Sequence, residues 1–249
     1  MFRNLFSVIV LIVSACIPVT THAEVVINGT RIVFNAKDKE SVVQLKNNGK
    51  NPYLLQLWID DGNARAKPGE VKVPFVITPP VIRIDPSKGQ AVRIMSTTAN
   101  LPTDKESLFW FNMLEVPPKP TTQLNNGNNL LQLAFRTRVK LFYRPANLQP
   151  MPLQAYKDLK FNLQGNNLKV TNTSPYYITF SKLELRNSKG GSLLAAVEKF
   201  GQRMVEPNKE ITYPLAVKKT GLNGATLFYS VINDYGGESA NEQVLHNNP

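Results

Sequence analysis

The chain has 249 residues, of which 29 are Lys or Arg and 18 are Asp or Glu, giving a formal net charge of +11. It contains one cysteine and two histidines, and Cys16 and His22 both lie within the first 23 residues. A chain that loses this segment keeps only His246. Such a chain cannot form a Cys/His or Ser/His/Asp nucleophilic centre, a usual zinc site or a disulfide framework.

The positive charge is spread along the sequence rather than gathered into one block. No run of residues combines basic side chains with the interleaved aromatics of a nucleic-acid groove. A strong positive charge favours acidic partners and solubility. We therefore expect no nucleic-acid binding, and we expect most basic side chains to lie on a solvated surface.

The first 23 residues resemble a secretory signal peptide. Arg3 supplies a positive charge, Leu5 to Ile17 is almost wholly apolar, and Thr21-His22-Ala23 places a small residue before the cut. The apolar run is too short for a spanning helix of about 20 residues, so we expect export without membrane insertion and a mature start near Glu24. A second cut remains open, because Val13-Ser14-Ala15-Cys16 resembles a lipoprotein box that would lipidate Cys16.

The next part of the chain is a series of short segments rich in Val, Ile, Phe, Tyr and Trp. Asn, Gly, Asp and Pro separate these segments, and none of them has sustained helical periodicity. Strands at such regular spacing, with turn signals between them, predict an antiparallel sandwich of immunoglobulin type. The predicted strands are 25–34, 41–47, 53–60, 74–84, 90–96, 108–116 and 129–144.

The last of these segments, 129–144, is unusually long. From Leu131 to Tyr143 the odd positions are mostly apolar and the even positions are mostly polar or basic, which predicts a strand. Fully extended, it would run ~50 Å, beyond an ordinary sheet. Three interpretations stay open: the strand is bulged, it extends past its sheet and offers apolar residues to a partner, or both its faces are covered.

Pro145 ends this segment, because proline cannot continue a central ladder, and the region up to Pro152 is typical of a linker. A second series of predicted strands follows. We therefore predict an all-β protein with a signal peptide at 1–23 and two sandwich domains, at 24–147 and 148–249. The second series is 159–163, 167–172, 176–185, 202–205, 210–214 and 225–234.

Six phrases along the chain share one family pattern. Together they resemble the periplasmic chaperones of chaperone-usher fimbriae, the PapD-like family of Gram-negative bacteria, and the resemblance covers essentially all of the chain after residue 23. The phrases are Asn28-Gly29-Thr30-Arg31-Ile32-Val33-Phe34, Pro52 to Asp60, Thr78 to Ile84, Glu106 to Asn112 with Val116-Pro117-Pro118, Lys140-Leu141-Phe142-Tyr143-Arg144-Pro145, and Ile232 to Gly237.

The resemblance implies a boomerang of two immunoglobulin-like domains that binds fimbrial subunits by donor-strand complementation and delivers them to an outer-membrane usher. It implies no cofactor, and it leaves self-association of the free protein through the exposed strand open. The implied residues are Arg31 and Lys140 as the anchor of the subunit's C-terminal carboxylate, Leu131, Leu133 and Phe135 as the donated side chains, and Glu106, Arg144 and Asp234 as an ion network between the domains.

One feature of these residues conflicts with a regular strand. Lys140 has the opposite parity to Leu131, Leu133 and Phe135, so its side chain points to the other face. If both sets serve one ligand, we expect a bulge or a strong twist between them.

Two other classes of protein remain as alternatives. An exported carbohydrate-active protein would need two carboxyl groups about 5–9.5 Å apart, such as Asp60 with Asp61 or Glu106 with Asp234. A noncatalytic adhesin or fibre subunit would also be exported and immunoglobulin-like. Two β series and a mature chain without cysteine favour the chaperone, which is not an enzyme.

Overall fold

The structure, a computed structural model, describes residues 24–97, 100–119, 131–219, 222 and 224–245. It contains two β-sandwiches, one after the other along the chain. The predicted signal segment with Cys16 lies outside the described residues, as do residues 129 and 130 of the long segment. The strands of the first sandwich are β1 (Val25–Ile27), β2 (Arg31–Asn35), β3 (Glu40–Asn47), β4 (Tyr53–Asp60), β5 (Phe75–Thr78), β6 (Val81–Ile84), β7 (Gly89–Ser96), β8 (Ser107–Val116) and β9 (Phe135–Arg144).

The first sandwich consists of two sheets that bury one face each against the other. Their strand orders are β1-β3-β7-β5 and β2-β9-β8-β4-β6. Successive side chains of a strand point to opposite faces. In β8, Phe109, Phe111 and Met113 therefore enter the core, and Trp110 and Asn112 face the other side of the sheet.

Strand β9 lies inside the second sheet, between β2 and β8. It is antiparallel to β8, from Phe135 opposite Glu115 to Tyr143 opposite Ser107, and parallel to β2. The parallel pairing places Arg31 directly opposite Lys140. Neither pairing contains a register shift, so β9 is regular over residues 135–144.

Pro145 follows the end of β9, and the chain then forms a short helix, α1 (Pro152–Lys157). The sequence predicts no helix here, because six residues are too few for a helical repeat of apolar positions to be recognised. Pro152 suits the first turn, where its missing N–H has no intrahelical partner to lose. Ala155 and Tyr156 of α1 pack into the core of the second sandwich.

The second sandwich has the strand orders β10-β11-β15 and β16-β13-β12-β17-β18, with β14 also pairing with β12. The all-β prediction with two sandwich domains is confirmed. Within the described residues, no helix has the length and apolar character needed to cross a bilayer. The strands are β10 (Lys160–Gln164), β11 (Asn167–Asn172), β12 (Ile178–Arg186), β13 (Leu193–Ala196), β14 (Met204–Val205), β15 (Lys209–Pro214), β16 (Ala216–Val217), β17 (Thr226–Ile232) and β18 (Glu238–Val244).

The structure divides or adds to several predicted strands. The predicted segment 74–84 is two strands, because Pro79 and Pro80 lie between β5 and β6. Strand β18 was not predicted, since its sequence Glu-Ser-Ala-Asn-Glu-Gln-Val is mostly polar. It lies at the edge of its sheet, where both faces tolerate polar side chains.

Candidate functional site

Two cationic side chains meet where β2 and β9 run side by side. Neighbouring strands lie about 4.8 Å apart, so the direct pairing of Arg31 with Lys140 brings the two side chains together on one face. Burial lowers the pKa of Lys140, and the charge of Arg31 lowers it further. No carboxylate of the described residues acts on Lys140. The pair therefore has the chemistry to bind an anion.

Arg31 also contacts the second sandwich. Its Nη1 donates a hydrogen bond to the carbonyl oxygen of Ile232 at 2.8 Å. Its Nε is buried and has no hydrogen-bond partner within the described part of the chain. A buried donor without a partner costs about 1–3 kcal/mol. An anion that accepted a hydrogen bond from Nε would remove this cost.

Arg144, at the end of β9, joins the two sandwiches through two carboxylates. Its Nη1 and Nη2 donate to Asp234 at 2.7 and 2.8 Å, and its Nε donates to Glu106 Oε1 at 2.7 Å. The other oxygen of Glu106 accepts the backbone N–H of Tyr177 at 2.8 Å. The guanidinium also stacks on the ring of Tyr176, 5.1 Å from its centroid. The three residues of the expected ion network are thus in direct contact.

Glu106 is the most buried member of this network, with 3% of its surface exposed. Burial raises the pKa of Glu106, against the charge of Arg144 and the Tyr177 hydrogen bond, which act to lower it. Burial also acts to lower the pKa of Arg144, but Asp234 and Glu106 outweigh it and the pKa ends above its ordinary value. The arginine therefore keeps its proton, and Glu106 depends on that charge.

The turn between β17 and β18 packs against the start of β2. Gly236 in this turn has φ of +82°, and a Cβ on it would lie 2.5 Å from Thr30 Oγ1. Glycine is the residue that adopts this conformation without strain, and here the close approach of Thr30 also requires it. The turn therefore brings Ile232 and Asp234 up to Arg31 and Arg144.

We expect Gly236→Ala to destabilise the protein by about 2–5 kcal/mol, from left-handed strain of about 1–2 kcal/mol and overpacking of about 1–3 kcal/mol. Gly190→Ala is the matched control, because Gly190 has φ of +75° and nothing within 4 Å of an added Cβ. Thermal unfolding of both variants separates the two contributions. Adding Thr30→Ala to Gly236→Ala should recover only the part of the lost stability that comes from overpacking. An equal loss of stability in Gly236→Ala and Gly190→Ala would contradict the close contact between Gly236 and Thr30.

The three expected donor side chains are exposed: Leu131 by 85%, Leu133 by 55% and Phe135 by 51%. They share parity with Val139 and Leu141, which pack into the core of the first sandwich. The interpretation with both faces covered is therefore wrong for this end of the segment. Strand β2 pairs with β9 only from residue 140 to 144, so among the described residues the same edge of β9 has no partner strand at 135–139.

The expected bulge is absent from residues 135–144, since the pairing with β8 is continuous. Phe135 and Lys140 therefore do point to opposite faces of one regular strand. Within these residues, no bulge turns the two sets of side chains to the same face.

Sequence reasoning missed a second set of cations on β9. Arg138 forms a two-point ion pair with the fully buried Asp60 and stacks on Trp110 at 4.3 Å. Arg136 donates to Asn112 Oδ1 at 2.7 Å and stacks on Trp58 at 4.6 Å. The even spacing of Arg136, Arg138 and Lys140 could have indicated one basic face.

Asp60 is held as an anion by this arrangement. Burial acts to raise the pKa of Asp60, but hydrogen bonds from Arg138, Asn112 and the Gly62 N–H outweigh it and the pKa ends below its ordinary value. Glu106 and Asp234, the other candidate pair of carboxyl groups, both bind Arg144. Neither pair offers a free general acid beside a free base. In the described ranges, no group of three metal-ligating side chains is present.

Both sandwiches match known protein families. Residues 24–149 match the N-terminal domain of PapD, a pili and flagellar-assembly chaperone, and residues 154–243 match the C-terminal domain of the pili assembly chaperone PapD. The probable fimbrial chaperone YadV of Escherichia coli K12 is 43% identical over 226 residues, covering 86% of this chain and 87% of YadV.

Solved structures agree with this match. The crystal structure of the YadV chaperone has a TM-score of 0.73 and 39% identity, covering 90% of this chain and all of that chain. The SafB chaperone of Salmonella enterica, in complex with the SafA pilin, has a TM-score of 0.71 and 26% identity, over 91% and 98% of the two chains. The periplasmic chaperone SfaE has a TM-score of 0.66 and 28% identity, over 89% and 100%.

The chain belongs to the PapD family of pilus assembly chaperones. The predicted family is thereby confirmed, as is the prediction that the protein is a fimbrial chaperone and not an enzyme. The carbohydrate-active and adhesin alternatives have no support in these relatives.

Proposed function

We propose that this chaperone binds fimbrial subunits in the periplasm by donating β9 to their incomplete sandwich. The observation that carries the proposal is the open edge of β9 at 135–139, next to exposed apolar side chains and directly before the pairing of Arg31 with Lys140. An exposed edge with alternate apolar residues is the geometry of strand addition, in which the backbone provides affinity and every second side chain provides specificity.

The direction of the bound strand follows from the position of the two cations. If its C-terminal carboxylate binds Arg31 and Lys140, the rest of the strand extends along residues 139 to 135 of β9 and then along residues 134 to 131, which precede β9. It then runs parallel to β9, as β2 does. The subunit strand and β2 would occupy consecutive parts of one edge, with the carboxylate marking where the first ends and the second begins.

The three donated side chains supply the apolar part of the affinity. Fully burying a Leu or Phe side chain contributes about 1.5–3 kcal/mol, and Leu131, Leu133 and Phe135 are half to largely exposed in the free protein. A slip of one residue would turn Arg136 and its neighbours toward the subunit instead. The two cations at the end of the strand would prevent this slip by fixing the register.

The ion network has an architectural role in this proposal. Arg144 connects Glu106 of the first sandwich with Asp234 of the second, so it would hold the two domains, 24–147 and 148–249, in the orientation that forms the cleft. Asn147, at the proposed boundary, has φ of +64°, which fits a sharp change of chain direction. A buried ion pair is better suited to fixing orientation than to adding net stability.

Export by removal of residues 1–23 fits this function, since the subunits would be met in the periplasm of a Gram-negative bacterium. The chaperone would then deliver each subunit to an outer-membrane usher, where the next subunit replaces β9. The free energy would come from folding of the subunit, without a cofactor. The open edge of β9 also allows a second copy of this chain to pair with it when no subunit is bound.

Leu133→Asp tests donor-strand complementation. We expect at least a tenfold loss of co-purified subunit, because an apolar contact worth about 1.5–3 kcal/mol is replaced by a desolvated charge. The folded chaperone should keep its thermal midpoint, since Leu133 is 55% exposed. Val244→Asp is the matched control, because Val244 is 48% exposed on the edge strand β18. Equal recovery of subunit with both variants would contradict the proposal.

A further inference from the structure

A pair of carboxyl groups lies at the end of the first sandwich, away from the site described above. Glu115 is 1% exposed, and its Oε2 accepts the backbone N–H of Val25 at 3.2 Å. Its Oε1 is buried and has no hydrogen-bond partner among the residues that the structure describes. A buried carboxylate oxygen without a partner is costly, and buried charges are normally paired.

The second carboxyl group of this pair belongs to Glu24, the residue before Val25. Its Oε2 is also buried without a partner in the described ranges. Burial raises the pKa of Glu115, and the negative charge of Glu24 raises it further. Burial together with the Glu24 carboxylate raises the pKa of Tyr53 to about 12. Two carboxyl groups and a phenol thus lie close enough to act on one another, and a cation among them would be stabilised.

The backbone around Glu24 is fixed in place. The carbonyl oxygen of Glu24 accepts the N–H of Asn48 at 2.8 Å, and Val25 pairs with Asn47. The Glu24 side chain packs so closely against Gly49 that a Cβ there would overlap it. Successive backbone nitrogens are about 3.6 Å apart at most, so the Glu24 nitrogen lies within about 7 Å of Glu115 Oε2, given the 3.2 Å contact of Val25.

We propose that Glu115 binds the α-ammonium group of Glu24, formed when the signal segment is removed. Hydrolysis of the Ala23–Glu24 peptide bond consumes one water and leaves a carboxylate on Ala23 and an ammonium group on Glu24. In the precursor the same nitrogen is an uncharged amide, so it gives Glu115 no cation to pair with. The ion pair therefore forms only in the processed chain. This inference rests on the proposed export.

The stability that this ion pair adds should decrease as the pH rises. An α-amino group has an ordinary pKa of about 7.7–8.0, and a carboxylate partner raises it in the folded state. The added stability is then fully present below about pH 7.7 and is lost as the pH rises through the folded-state pKa. The other titratable groups that act on this point are Glu24 and Tyr53.

The experiment compares two forms of the full mature chain, made as cleavable fusions so that export is not required. One form begins at Glu24, and the other carries a Gly-Ser-Gly extension that moves the ammonium group about 10 Å away. Each is made with Glu115, with Glu115→Gln and with the exposed control Glu238→Gln. Thermal midpoints are measured from pH 7 to pH 10. The rate at which an acylating reagent modifies the α-amino group of Glu24 is measured at pH 7.5.

We expect the form that begins at Glu24 to unfold at least about 4 °C above the extended form at pH 7. This difference should vanish with Glu115→Gln, persist with Glu238→Gln and shrink toward pH 10. Acylation should be about tenfold slower in the folded form with Glu115 than with Glu115→Gln. Equal midpoints of the two forms, or a difference that Glu115→Gln leaves unchanged, would overturn the inference.

N-terminal sequencing of the exported protein separates this inference from the proposed export. A mature start at a residue other than Glu24 would overturn both the cleavage site and the ion pair. A start at Glu24 with no dependence on Glu115 would overturn the ion pair alone.

Discussion

Lys140→Ala is expected to lower the recovery of a co-expressed fimbrial subunit from the periplasm by at least about 30-fold. Truncating one partner of a hydrogen-bonded charge pair costs about 2–5 kcal/mol, and 2 kcal/mol corresponds to about 30-fold in binding. Without Lys140 the subunit carboxylate would keep only Arg31, whose Nη1 already donates to Ile232. Recovery is measured by quantifying subunit that co-purifies with the chaperone.

The same substitution should leave the free chaperone folded, or slightly more stable. Burial and the neighbouring charge of Arg31 both disfavour the protonated Lys140 side chain, as its lowered pKa indicates. Removing this charge therefore removes a repulsion in the free protein. A large fall in the thermal midpoint of Lys140→Ala would mean that the lysine has a structural role instead.

Lys160→Ala is the control for a general loss of positive charge, since Lys160 is an exposed lysine on strand β10. Arg31→Ala is a less selective test, because it also breaks the hydrogen bond to Ile232 between the two sandwiches. Subunit recovery that is equal for Lys140→Ala and Lys160→Ala would argue against a carboxylate anchor at β9.

Arg144→Ala is expected to destabilise the protein by about 3–5 kcal/mol, which lowers the thermal midpoint by about 6–20 °C. The substitution removes the only cation in contact with Glu106 among the described residues and leaves that carboxylate 3% exposed. It also breaks the two hydrogen bonds to Asp234. Calorimetry at pH 7 checks the size of the effect.

The stability lost in Arg144→Ala should increase from pH 4 to pH 7. Burial already raises the pKa of Glu106, and Arg144 opposes the rise, so the pKa rises further without the arginine. A group with a raised folded-state pKa contributes stability that is present below its unfolded pKa of about 4.3 and is lost as the pH rises. The deficit of Arg144→Ala should therefore be largest near pH 7 and smaller near pH 4.

Arg186→Ala is the control for Arg144→Ala, because Arg186 also makes two hydrogen bonds to one carboxylate, that of Glu184, but within a single sandwich. It should cost about 1 kcal/mol or less. A similar loss in both variants, or a deficit of Arg144→Ala that does not change with pH, would contradict the role assigned to Glu106.

The sequence predicts the long strand that ends in β9 because the signal for a strand is local. Alternation from Leu131 onward identifies a strand, but its excess length leaves open whether the strand is bulged, extends past its sheet or has both faces covered. The structure exposes Leu131 by 85% but buries Leu141 completely at the same parity. Where the strand leaves the sandwich depends on how far β8 and β2 extend, which the alternation does not encode.

The ion pair of Asp60, in contrast, could not be predicted from the sequence. Its sequence context, Asp60-Asp61-Gly62, predicts a turn, and Gly62 N–H does bond to Asp60. The ion pair of the fully buried Asp60 with Arg138 is formed by strands that are distant along the chain. A local pattern contains no information about such a partner.

The sequence by itself determined the fold class, the family and the identities of the candidate residues, because alternation, turn residues and family phrases are all local properties of the chain. Only the tertiary structure decided that Arg31 and Lys140 are direct neighbours, that β9 is regular without a bulge, and that Arg144 contacts both Glu106 and Asp234. These facts depend on strand register and on the packing of one sandwich against the other, which bring together residues far apart in the sequence.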